Sequence, residues 1–174
     1  MASRILLCLF LLAFSTAAAA TDRPAQYFGL SLGDYDLESD EGSGLERNFT
    51  NVGLQAGYRF SRFVAIEGRA GYSRRSSTEL LERSTLHMGA AFLRIDLPFE
   101  RVSLYGLAGG SQIWFGDANG DNQTESDFSG GIGVELYGSP RTAINLEYIS
   151  HADRTYEGIS LGFIHHFDWP SLRR

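Results

Sequence analysis

The residues best equipped for chemistry lie near the end of the chain. Ser150, His151 and Asp153 bring a hydroxyl, an imidazole and a carboxylate within four positions, and His165 and His166 are adjacent. A nucleophile needs its base within hydrogen-bond reach, and a metal needs ligands that converge. Farther back, Asp117, Asn119, Asp121 and Glu125 fill the first, third, fifth and ninth places of a calcium loop. Asn122 stands where its sixth place wants glycine, and Phe128 where its twelfth wants a bidentate glutamate. Whether any of these groups act together depends on the elements that carry them.

Both histidine sites sit in segments of period two. In YEGISLGFIHHF, residues 156–167, Ile159, Leu161, Phe163 and Phe167 alternate with Gly158, Ser160 and Gly162. Neighbours in a strand point to opposite faces. His165 is therefore expected outward and His166 inward, and Ser150 and His151 part in the same way. No catalytic, cofactor-binding or metal site is expected, the acidic stretch reads as an exposed hairpin tip, and the chain is not expected to be an enzyme.

The same alternation runs through segments 26–37, 48–60, 63–73, 84–97, 127–137 and 142–150, while 102–115 carries apolar residues on both faces. Leu54, Ile66, Leu93, Ile132 and Leu146 stand for the bulky faces. The minor faces hold glycine, serine and charge. Short turns at 61–62, 98–101 and 138–141 alternate with longer polar loops at 38–47, 74–83, 116–126 and 151–155. Eight strands with short turns at one end and long loops at the other is the layout of an outer-membrane barrel.

Residues 1–20, MASRILLCLFLLAFSTAAAA, read as a signal peptide, with Arg4, an apolar run and a small-residue exit near Ala20. That run falls short of the ~20 residues a membrane helix needs. Residues 21–174 then form one domain, and the single cysteine, Cys8, is lost with the leader. The formal charge of -6 gives no basic patch for nucleic acid. Twenty glycines accompany 12 Phe, 8 Tyr and 2 Trp, with no long apolar run after the leader, so any membrane crossing must use strands.

Aromatic residues fall near both ends of the segments. Tyr35, Phe49, Tyr72, Trp114, Phe115, Phe128, Tyr148 and Tyr156 lie by the long loops, and Phe60, Phe63, Phe99, Tyr105, Tyr137, Phe167 and Trp169 by the short turns. They are expected to form two interfacial girdles. A soluble lipocalin-like barrel would turn its bulky faces inward, and eight strands leave too little room for them. The expectation is thus an all-β, eight-stranded antiparallel up-and-down transmembrane β-barrel with a polar, filled lumen.

The strand-pair pattern NLEY…DRTYEGISLGFIHHF and G-Y pieces such as AGYRF at 56–60 resemble the small eight-stranded outer-membrane barrels of the OmpA/OmpX type, the opacity-like porin group, over the whole of 21–174. The resemblance implies a Gram-negative outer membrane, contact with its lipid and lipopolysaccharide, and loops available to extracellular ligands. Members of that group usually end at the aromatic closing the last strand, whereas this chain continues from Asp168 to Arg174.

On the inward faces, Arg59, Arg69 and Arg94 are expected to meet Glu67, Glu135 and Glu147. Unpaired charge in a narrow lumen is costly, so near-balanced numbers predict a paired polar network that plugs the barrel. The functions this admits are a structural or surface-interaction role, such as envelope integrity or adhesion through loops; a narrow ion or solute pore; and, distantly, a lipid A acyl hydrolase.

Overall fold

The structure, a computed structural model, describes residues 24–37, 47–75, 85–116, 122–152 and 156–168. Eight strands follow in order: β1 Gln26–Leu37, β2 Arg47–Arg59, β3 Val64–Arg75, β4 Thr85–Pro98, β5 Val102–Gly116, β6 Asn122–Ser139, β7 Thr142–His151 and β8 Tyr156–Phe167. Each pairs antiparallel with the next, and β1 closes on β8 from Gln26 opposite Phe167 to Leu37 opposite Tyr156. Closure removes the two sheet edges, the condition for a sheet to cross hydrocarbon.

Three tight connections end the strands on one side. Ser61 Oγ accepts from the amides of Phe63 and Val64 at 3.2 and 3.1 Å, and Ser139 Oγ accepts from those of Arg141 and Thr142 at 3.2 and 3.1 Å. Between these, the Phe99 amide donates to the Val102 carbonyl at 2.7 Å. At two of the three connections, small hydroxyl side chains thus satisfy backbone donors that a short turn leaves unpaired.

Parity sorts the side chains. Leu30, Leu54, Ile66, Leu93, Ile132, Leu146 and Leu161 are exposed on the outer wall, while Gln55, Glu67, Arg94, Glu135 and Glu147 are buried inside. In β5, whose faces were ambiguous in sequence, Leu104, Ala108 and Trp114 point outward and Ser103, Tyr105, Leu107 and Ile113 inward.

Three expectations need correction. The lumen is not uniformly polar: its loop half is filled by Tyr35, Phe49, Leu86, Met88, Phe92, Ile113, Ile149 and Tyr156. Interior glycines make the room, since a Cβ on Gly71 would come 3.1 Å from Met88 Cε and one on Gly131 3.1 Å from Ile149 Cγ1. The girdles are also thinner than the sequence suggested. Tyr35, Phe49, Tyr105 and Tyr156 have inward parity and are buried, and Tyr137 joins them inside, whereas Phe60, Tyr72, Trp114, Phe128 and Tyr148 stay on the outer wall. Finally, strands reach further into the loops: β2 begins at Arg47, β3 ends at Arg75, and β6 begins at Asn122. The calcium-loop reading fails there, because its sixth to twelfth places are extended strand; Asp117, Asn119 and Asp121 lie outside the described residues, as does Trp169.

Candidate functional site: the lumen network

Seven charged side chains converge in the half of the lumen nearer the short turns. Arg94 on β4 is fully buried and is its hub. Its Nη2 donates to Glu135 Oε1 at 2.6 Å and to Asp96 Oδ1 at 2.8 Å, and its Nη1 donates to Glu67 Oε2 at 3.3 Å. The guanidinium lies 3.8 Å from the centre of the Tyr105 ring, a cation–π seat between ionic and aromatic groups. Arg59 on β2 donates to Asp96 Oδ2 at 2.9 Å and stands 3.5 Å from Glu135 Oε2.

Arg69 on β3 crosses the lumen. Its Nε donates to Glu67 Oε1 at 2.6 Å, and its two terminal nitrogens take both oxygens of Glu147 on β7, Nη2 to Oε2 at 2.6 Å. This two-pronged match is the strong form of an arginine–carboxylate pair. β3 and β7 lie on opposite walls of an eight-stranded barrel, so a single bidentate contact spans the interior.

Neutral donors complete the carboxylates. Tyr27 donates to Glu67 at 2.6 Å, Tyr105 to Glu147 at 2.9 Å, Ser160 to Glu147 at 3.2 Å, Ser103 to Asp96 at 3.3 Å, and Tyr137 to Glu135. The carboxylates carry two or more donors each, as burial demands. The ring of His166 packs 5.4 Å from Tyr27 and 5.6 Å from Tyr137, closing the layer toward the short turns.

The structure therefore brings together Arg59, Glu67, Arg69, Arg94, Glu135 and Glu147. It adds Asp96, Tyr27, Tyr105 and Tyr137, which sequence reasoning left out of the set. Parity was available as a signal, since Asp96 shares the face of Arg94, Tyr27 that of Gly29, Tyr105 that of Ser103 and Tyr137 that of Glu135. What misled was position near a strand end, which invites an interfacial reading for tyrosine. With Asp96 counted, three guanidinium groups face four carboxylates. The side chains of all seven are at most 7% accessible.

Chemically, this arrangement binds and orients charge; among the described residues it offers no exposed nucleophile beside a base. Ser150 lies outward and His151 inward, and the His151 ring sits among Tyr35, Phe92 and Tyr156 with neither nitrogen hydrogen-bonded. His165 lies outward with its ring tilted against Phe28, apart from His166. No group of three or more His, Cys, Asp or Glu among the described residues is arranged to hold a metal.

A closed eight-stranded barrel with bulky walls outside and ions inside defines a class, the outer-membrane β-barrels. The family model for the outer membrane protein beta-barrel domain matches residues 5–163, and the chain belongs to that family. Among solved structures it is similar to Neisserial surface protein A, with a TM-score of 0.69 and 15% identity over 82% of this chain and 97% of the other. It is similar also to Ail, the attachment invasion locus protein of Yersinia pestis, solved with the heparin analogue sucrose octasulfate (TM-score 0.59, 16% identity, 82% and 97% covered). A third is the N-terminal β-barrel domain of Pseudomonas aeruginosa OprF (TM-score 0.60, 12% identity, 84% and 100% covered). At these identities the likeness is one of fold. No curated protein sequence matches the chain.

Proposed function

We propose that this chain is a plugged barrel of the Gram-negative outer membrane, comprising residues 21–174 after cleavage near Ala20, whose work is structural and surface-interacting rather than conductive. Its outer wall meets lipid and lipopolysaccharide. Its loops, around 38–47, 74–83 and 116–126, meet ligands outside the cell.

One observation carries this reading: the ion network spans the lumen wall to wall. Arg69 reaches Glu147 from β3 to β7, and Arg94 reaches Glu135 from β4 to β6. A path for water or ions would have to pull apart buried pairs, which costs about 3–5 kcal/mol for each charge left alone. Aqueous channels belong to wider barrels. With the lumen filled, loops and outer wall are the surfaces left for function. The Ail complex supports this in kind, since a barrel of this fold was solved in complex with a heparin analogue.

Single-channel recording in planar bilayers tests the proposal. The purified chain is expected to give no stable openings over a wide voltage range. Reproducible conductance steps, lost when Arg69 or Glu147 is replaced by a larger neutral residue, would contradict it and favour the pore.

A further inference from the structure

We propose that the outer wall carries a seat for one anionic phospholipid of the periplasmic leaflet, its phosphate held by Arg62 and Arg101 and an acyl chain lying in the groove beside them. The groove measures about 690 Å³, and Phe63, Leu97 and Leu104, next to the β2–β3 and β4–β5 turns, form its mouth. Its floor is Gly106. Register sets Gly106 between Ile95 on β4 and Ile132 on β6, and registered partners share a face of the sheet. Those isoleucines stand 54% and 68% exposed, whereas a Cβ built on Gly106 would meet nothing nearer than the Gly131 carbonyl oxygen at 4.0 Å. Bare backbone between two ridges makes the furrow.

An apolar lining selects nothing by itself in a bilayer. Lipid tails are as apolar as leucine, so the groove gains no hydrophobic drive and can discriminate only by shape and by the polar groups at its mouth. Those groups are cationic. Arg62 lies in the β2–β3 turn with its guanidinium 4.8 Å from the centre of the Phe63 ring, which sets its charge against the first lining residue of the groove. Arg101 lies in the β4–β5 turn, between Leu97 and Leu104 in the chain, and both arginines are exposed.

Glu100 is exposed beside Arg101, so the two turns together keep a net positive charge. A guanidinium matches a phosphate through two parallel hydrogen bonds, and the phosphate of a phospholipid comes with the chain that the groove accommodates. The third short turn gives the contrast. Arg141 is exposed as well, but the outward pair Leu136 and Ile144 stands between it and the groove. A second copy of this chain is the poorer occupant, because two convex walls meet at their ridges and a two-fold along the membrane normal would bring like-charged turns together.

The inference deepens the proposed function, on whose orientation the choice of leaflet rests; the seat itself is tested without it. The purified protein in dodecylmaltoside would be titrated with dioleoyl phosphatidylglycerol or dioleoyl phosphatidylcholine and the retained lipid counted by native mass spectrometry. One phosphatidylglycerol per chain is expected, preferred at least ten-fold, since each arginine near an anionic headgroup contributes roughly five-fold. The Arg62→Gln/Arg101→Gln double variant should lose that preference, Arg141→Gln should keep it, and Gly106→Leu, which fills the floor, should weaken retention of both lipids. Equal retention of the two lipids, a preference that survives the double variant or falls as far in Arg141→Gln, or no loss with Gly106→Leu would overturn the proposal. A protein dimer in place of a lipid adduct would overturn it too and assign the groove to a second copy. Labelling of a Glu100→Cys variant on intact cells reads sidedness alone: protection from a membrane-impermeant maleimide is expected, and modification would overturn the leaflet assignment together with the proposed orientation.

Discussion

Arg94 shows how a residue can be worth less than its removal costs. Its guanidinium contacts Glu67, Asp96 and Glu135 with no water-accessible surface. Desolvation cancels much of the attraction, so the network itself is weak evidence of stability, but deleting one partner strands the others. Arg94→Met is therefore expected to lower the unfolding free energy in lipid vesicles by about 3–5 kcal/mol, the usual cost of orphaning buried charge. Urea titration of the variant would measure it, and a loss under about 1 kcal/mol would mean the three carboxylates find other partners. His151 is the opposite case. Its ring is fully buried, and both nitrogens lack a hydrogen-bond partner. An unsatisfied buried polar group costs about 1–3 kcal/mol. His151→Phe, set among Tyr35, Phe92 and Tyr156, should leave stability unchanged or raise it. Marked destabilisation in the same titration would show that the imidazole makes a bond through water.

At the scale of the element, the tyrosines of the network depend on glycines in neighbouring strands. Tyr105 on β5 lies across Gly133 on β6, its registered partner, so closely that a Cβ there would fall 2.3 Å from the ring; Tyr27 and Gly57 repeat the arrangement at 2.2 Å. The ring flattened over the glycine is the one whose hydroxyl donates to Glu147 and accepts from Asn145. Gly133→Val should push Tyr105 off its seat beneath Arg94 and lower the unfolding temperature, whereas Gly68→Ala, where no atom lies within 4 Å of the added Cβ, should not. Equal effects from both would refute the packing role.

This scale also marks how far the sequence could be read. Alternation alone separates Leu54 from Gln55 and Ile132 from Glu135, because parity decides which face a side chain takes. Parity says nothing about depth, so the apolar fill of Leu86, Met88 and Ile113 in the loop half was not legible, nor was the inward turn of Tyr35 and Tyr156 recognised among the aromatics. The length of β6 was hidden for another reason. NQTESD carries no hydrophobic period, and only the register against Ile113, Trp114 and their neighbours on β5 makes it a strand. Asp96 was visible on the correct face, but its role needed the distance to Arg59 and Arg94.

For the whole molecule, the fold places two incompatible surfaces back to back within a single sheet. Ile132, at 68% the most exposed large apolar side chain among the described residues, is three residues from the fully buried Glu135 on the same strand. Only a low-dielectric exterior makes that economical, since each outward Leu, Ile or Phe would otherwise leave some tens of Å² of hydrocarbon in water at about 25 cal/mol per Å². The plug and the turns both presuppose this inversion. Nitroxide labels at Leu54, Ile132 and Leu161 in reconstituted protein test it most directly, by comparing collision with oxygen, which partitions into lipid, and with a water-soluble nickel complex. High oxygen and low nickel accessibility at all three positions is the predicted result. Nickel accessibility matching that of an exposed loop label would contradict it.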